Sequence, residues 1–275
     1  MLDPFDFKEP RCAVCGGREF YAPKKDDPDG TIPVDRIMER LDKMFEKNDM
    51  AGAQSLLEYW ENEARALKDR RGELSVVSEL IGLYRKTGDK EKGLNAAARG
   101  TELVRLLELE STVSGATVLL NAATTLKAFG EAKKALPVYD EVYKVYSSHL
   151  DKNDVKMAGF YNNKALALQD AGEFKAAEEC FKRALSIMEK AENGQPDLAV
   201  TYVNLAHLYE HAGKGKNEIT DCLFAAYGLL TGEDIKKDGY YAFVLSKCAP
   251  SFKYFGYDII ADEFIEESRE IYARA

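Results

Sequence analysis

What the chain lacks narrows its class first. It has no run of about 18 apolar residues, the length a helix needs to cross a bilayer. Its first residues, Met1-Leu-Asp-Pro-Phe-Asp6, show no basic stretch followed by an apolar one, so no export signal is read there. Basic charge is short: 38 Lys and Arg stand against 47 Asp and Glu, a net charge of −9, which argues against a nucleic-acid footprint. The five cysteines are an odd number, a poor basis for a disulfide framework and a better fit to a reducing compartment. No Gly-rich phosphate loop, nucleophile elbow or cofactor fingerprint appears, so catalysis has few candidates. These absences lead to the expectation of a cytoplasmic protein that spans no membrane and binds no nucleic acid.

What is present is a ruler. Gly88, Gly130, Gly172, Gly213 and Gly256 recur at steps of 42, 42, 41 and 43 residues, and Asn48 sits 40 residues ahead of the first. Five residues after these markers come Ala53, Gly93, Ala135, Ala177 and Ala261, with Glu218 the exception. Seven residues before the glycines stand Ile81, Ala123, Ala165, Ala206 and Ala249; four before stand Tyr84, Leu126, Leu168, Tyr209 and Phe252. Small residues let two helices approach and large ones fill the gaps beside them, while a glycine at the turn ends the first helix in a left-handed conformation. Self-similarity at this period means a stack of helical hairpins. Apolar periodicity gives about six helix pairs, near 34–70, 73–110, 114–150, 155–192, 197–232 and 239–274. Residues 1–33 are different material: Pro4, Pro10, Pro23, Pro28 and Pro33 forbid a long helix. The expected organisation is an irregular head over 1–33 and a repeat domain over 34–275.

Tyr161-Asn-Asn-Lys-Ala-Leu-Ala-Leu-Gln-Asp-Ala-Gly172 with the helix that follows it, and Tyr202-Val-Asn-Leu-Ala-His-Leu-Tyr-Glu-His-Ala-Gly213, resemble the tetratricopeptide repeat. The period exceeds the usual 34 residues, which resembles the long-helix variety found in kinesin light chains and in bacterial peptide-sensing regulators. The resemblance implies an all-α fold, a right-handed superhelical α-solenoid. It also implies a non-enzymatic adaptor or scaffold that takes a protein segment or extended peptide in a concave groove lined by the first helix of each pair. A signalling-peptide sensor without a DNA-binding domain is the alternative within the same class.

Nine residues ahead of the marker stand Asn121, Asn163 and Asn204. An asparagine amide both donates and accepts, so it can hold the N–H and C=O of a peptide without reading its sequence. In family members that bind extended peptides, asparagine at this offset makes that contact, and by resemblance these three form a binding rail. The rows beside it add Thr124 and His207, then Lys127, Gln169 and Glu210. The basic clamp that some members use for a C-terminal carboxylate is not reproduced here. The competing reading of each asparagine is a helix residue bonded to its neighbours or water.

Two patterns suggest metal. Cys12-Ala-Val-Cys15-Gly-Gly is the form of a zinc knuckle, yet zinc takes four ligands and no second such pair exists. It reads as half a zinc site, as two free thiols or as a redox couple; apart from zinc at this pair, no cofactor is expected. His207-Leu-Tyr-Glu-His211 spells the pattern of a zinc metallopeptidase helix. Its residues also sit at ordinary repeat positions, which favours groove lining over catalysis. Cys180, Cys222 and Cys248, with Tyr139, Tyr143 and Tyr146, fall at core or edge positions. The last helix keeps Ile259, Ile260, Phe264 and Ile265 with no later helix to cover them, so a homodimer through this helix, or through the head, is expected.

Overall fold

The computed structural model describes residues 30–274, and twelve helices make up the regular structure among them. They run in six hairpins: α1 (Val34–Glu46) with α2 (Met50–Ala66), α3 (Arg70–Thr87) with α4 (Lys90–Leu106), and α5 (Val113–Ala128) with α6 (Ala132–His149). Then follow α7 (Val155–Asp170) with α8 (Phe174–Met188), α9 (Gln195–His211) with α10 (Lys216–Leu230), and α11 (Gly239–Tyr254) with α12 (Asp258–Arg274). The hairpins group into two compact units, α1–α6 and α7–α12, dividing after Leu150. The fold is all-α, as the ruler requires, and the six pairs fall where the sequence places them.

Each hairpin turn has the same physical cause. At the end of α3, Gly88 takes φ 76°, and the N–H of Asp89 reaches back to the Tyr84 carbonyl at 3.0 Å. That closes carbonyls which would otherwise lack partners at the helix end. The other four marker glycines, and Asn48 with φ 55°, share the left-handed conformation. Several helices begin on a carboxylate: Asp49, Asp89 and Asp238 accept backbone N–H bonds from the first turns of α2, α4 and α11. Asp69 does two jobs. Its Oδ1 caps α3 through Gly72 N at 2.9 Å, and its Oδ2 accepts from Ile32 N at 3.0 Å, fixing the entry to α1.

The small residues make the hairpins close. Ala53, Ala135, Ala177 and Ala261 are fully buried, as are Ala123, Ala165, Ala206 and Ala249 opposite them. At Gly93 even a methyl group would come within 2.7 Å of the Phe129 ring. The fifth pair departs from the rule. α10 begins three residues after Gly213, where the other second helices begin two after their marker. Glu218 therefore lies exposed in the first turn, and the half-buried Ile219 occupies the position counted from the helix start. Cys222, Leu223 and Ala226 carry the packing instead.

Unit α1–α6 also buries charge. Glu73, almost fully enclosed, accepts from Arg65 Nε at 2.8 Å and from Arg99 Nε and Nη2 at 2.7 and 2.8 Å. Burial raises its pKa, but the bonds from Arg99 and then Arg65 outweigh burial and hold the carboxyl below its ordinary range. In the other unit, Glu178 on α8 accepts from Lys182, from Tyr209 OH at 3.2 Å and from Lys214 at 2.9 Å. The hydrogen bond from Lys182, opposed by burial and joined by that from Lys214, pushes its pKa down to about 2. Cys222 and Cys248 are buried and Cys180 is half-buried, so the thiols sit where small hydrophobes belong; burial pushes Cys222 and Cys248 up to about 11 and about 12. Tyr139 and Tyr146 are core residues and Tyr143 lies at the edge, as expected.

Candidate functional site

The sequence-derived groove residues divide between the two units. In α5, Asn121, Thr124 and Lys127 are all buried. The Asn121 backbone carbonyl receives Arg85 Nη1 at 3.4 Å, and the same guanidinium reaches Thr125 Oγ1 at 3.3 Å. Thr124 does not line a groove. Its hydroxyl donates to the Leu120 carbonyl at 2.8 Å and meets Tyr139 OH of α6 at 3.1 Å, which turns it into the hairpin interior. A threonine in a helix bonds the carbonyl one turn back when nothing better is offered, and here the tyrosine adds a second partner.

In the unit α7–α12, the first helices α7, α9 and α11 lie side by side, and one stripe on each can be followed at helical spacing. Counting 16, 13, 9 and 6 residues back from the marker glycine gives Asp197, Val200, Asn204 and His207 on α9. The first three offsets give Tyr240, Phe243 and Lys247 on α11, and the middle two give Gly159 and Asn163 on α7. Tyr240 OH donates to Asp197 Oδ1, tying α11 to α9 at one end of the stripe. Burial, then the Asp197 charge, pushes the Tyr240 phenol far above its ordinary value, so it remains the donor.

The asparagines are enclosed rather than open. Asn163 is 3% exposed and Asn204 0%. Asn204 Nδ2 donates to Asn162 Oδ1 at 3.2 Å, a bond between neighbouring repeats that fixes their register. Sequence reasoning missed Asn162, although its offset of one residue from Asn163 puts it on the side of α7 that faces α9. Asn163 Oδ1 is a buried acceptor with no hydrogen-bond partner, and Asn162 Nδ2 is a buried donor with none. Such atoms cost about 1–3 kcal/mol each when left unsatisfied, so a native structure that keeps them usually has a use for them.

Past the asparagines the stripe becomes aromatic and polar. His207 lies against the rings of Phe255 and Tyr254, at 4.8 and 5.5 Å. Glu210 accepts from Tyr254 OH at 2.9 Å, and His211 Nδ1 pairs with Gln169 Nε2 at 2.8 Å. His207 Nδ1 stands 3.8 Å from Glu210 Oε2. The metallopeptidase-like pentad thus sends its groups to different neighbours: one histidine to aromatic rings, the other to a glutamine and the glutamate to a tyrosine. Among the described residues, no three His, Cys, Asp or Glu side chains are placed to hold a metal ion. Cys12 and Cys15 lie outside the described residues, as does nearly all of the expected 1–33 head. No helix among the described residues is long and apolar enough to cross a membrane.

Residues 156–214 match the family model of the tetratricopeptide repeat. That stretch holds α7 from its second residue, α8 and α9, with Asn162, Asn163 and Asn204. The mouse Tonsoku-like protein is 26% identical over 142 residues, 51% of this chain and 10% of that protein, so the chain matches about a tenth of that relative's length. Among solved structures, BtubC (BKLC) from P. vanneervenii aligns with TM-score 0.52 and 18% identity, covering 83% of this chain and 91% of that one. A putative kinesin light chain from Podosopora anserina with nearly identical TPR-like repeats aligns with TM-score 0.50 and 17% identity, covering 72% and 94%. At these identities the likeness is one of fold.

Proposed function

We propose that this all-α repeat chain, of which residues 156–214 match the tetratricopeptide repeat, is a non-enzymatic scaffold, working in the cytoplasm, that holds an extended segment of a protein partner. The holding surface is the stripe on α7, α9 and α11. One observation carries the reading: Asn163 offers a buried acceptor that nothing in the described fold satisfies. A passing peptide N–H supplies the missing partner, while the stripe around it provides apolar and charged neighbours for side chains. Asn121 and Lys127, on α5 of the other unit, are proposed as groove residues there. Cys12 and Cys15 are proposed as half of a zinc site that a second set of ligands completes.

Asn163 and Asn204 separate binding from stability. Asn163→Ala removes an atom that bonds nothing in the fold, so the melting temperature should not fall. Affinity for a peptide selected from an unstructured library on the wild-type protein should drop roughly three- to tenfold, the worth of one hydrogen bond. Asn204→Ala breaks the bond to Asn162 and should cost about 1 kcal/mol of stability. Unchanged peptide affinity in Asn163→Ala, measured by titration calorimetry, would remove the asparagine from the binding surface.

A further inference from the structure

We infer that the stripe on α7, α9 and α11 takes an extended, acid-flanked aromatic segment, and that the chain's own amino-terminal segment, Asp3-Pro-Phe-Asp-Phe7, is its resident occupant. The inference rests on the binding surface proposed above and names the chemistry of what it holds.

The surface sets three requirements. First, Asn163 Oδ1 is buried and unpartnered, so the ligand must bring a donor that a main chain supplies. Second, at the row four residues earlier the stripe is apolar and uneven: Gly159 has no side chain, Val200 is small and Phe243 presents a ring. Gly159 thus brings no side chain to that row, and Phe243 offers a ring on which an aromatic ligand can pack. Third, the row that holds Asn163 and Asn204 continues in the sixth pair as Lys247, whose ammonium lies 4.8 Å from the Phe243 ring centre. Aromatic and cationic groups side by side suit a phenyl ring flanked by carboxylates.

The head meets each requirement. Phe5 and Phe7 are two residues apart, so in an extended chain both rings point to the same side. Asp3, Asp6 and Glu9 surround them against a single Lys8. Pro4 and Pro10 bracket the segment and favour an extended backbone, which lowers the entropy lost on docking. Twenty-two residues, 8–29, separate Phe7 from Gly30, where the described chain begins, and when extended they form a tether of up to about 75 Å. A tethered segment of this length competes at an effective concentration near the millimolar range. An outside partner of the same chemistry therefore has to displace it, and the apparent affinity of the intact protein is correspondingly reduced.

The test uses the full-length chain and a fluorescent peptide of residues 1–10. With Phe5→Ala and Phe7→Ala in the protein, the peptide should bind at least tenfold more tightly than it binds wild type, because the internal competitor is gone. Adding Asn163→Ala and Lys247→Glu to that variant should abolish the gain, with circular dichroism confirming the fold. Equal affinity for the wild type and the Phe variant, or no binding to either, overturns the inference. If library-selected peptides still bind in an Asn163-dependent way while the 1–10 peptide does not, the binding surface survives and only the resident occupant is lost. If neither binds, both readings fall. A concentration-dependent mass in light scattering that Phe5→Ala and Phe7→Ala remove would place the segment on a second copy, which also overturns the internal assignment.

Discussion

Lys68 and Glu108 each end a helix at φ 56°, in the region L-residues with a Cβ avoid. They close α2 and α4 as Gly88 closes α3: Asp69 N reaches Ala64 O at 2.8 Å, and Leu109 N reaches Val104 O at 2.9 Å. The glycine ruler could not reveal them, since it marks only the turns inside hairpins and these sit between hairpins. Glu108→Gly should relieve the strain and stabilise the protein by about 0.5–1 kcal/mol, read as a shift of the urea midpoint at unchanged slope. The asparagine row shows the opposite limit. Its spacing was legible, but whether an amide faces a ligand or a neighbouring repeat depends on which side of α7 meets α9. Asn162 and Asn163 differ in that by a single position, and Thr124 left the row because Tyr139 stood within reach.

At the scale of elements, helix boundaries were readable because each hairpin repeats the same steric bargain of small residue against large. Where the chain adds one residue between Gly213 and α10, the offsets slip, and Glu218 leaves the packing surface for solvent. The terminal helix α12 shows how an apolar quartet is shared out. Phe264 packs edge-on against Phe252 with ring centres 5.3 Å apart and lies 6.2 Å from Tyr227, while Ile259 remains 77% exposed. Ser268 Oγ donates to Ala242 O at 2.8 Å and Lys237 bonds Glu267 at 2.5 Å, pinning the helix further along. Phe264→Ala should therefore cost about 3–4 kcal/mol, whereas Ile259→Lys should stay within about 0.5 kcal/mol, both by chemical denaturation. If Ile259→Lys also leaves a strict monomer unchanged in light scattering, the expected dimer through α12 loses its basis.

Over the whole molecule, acid weakens a carboxylate contact inside each unit. Glu73 in one unit and Glu178 in the other have carboxyl groups held below their ordinary value, Glu178 at about 2. A lowered folded value means the stabilisation is complete above the unfolded pKa near 4.5 and drains away as pH falls toward the folded value. Stability should thus be level from neutral pH to about 5 and then decline, with Glu178 contributing on the order of 2 kcal/mol of the loss. Glu178→Gln should flatten part of that decline in urea titrations run from pH 7 to pH 3; an identical slope would show the carboxylate plays no such part. Metal analysis of the purified chain, with and without Cys12→Ser, tests the zinc half-site: bound zinc that disappears in the variant is the expected result.

The carboxylate of Asp69 sets a hard stop on how far the chain can be shortened from its front. One oxygen begins α3 and the other grips Ile32, whose side chain fills space that a methyl on Gly72 would invade at 2.6 Å. Trimming up to Gly30 leaves that anchor whole; trimming past Ile32 opens a hole at the root of the first hairpin and leaves half of the anchor gripping nothing.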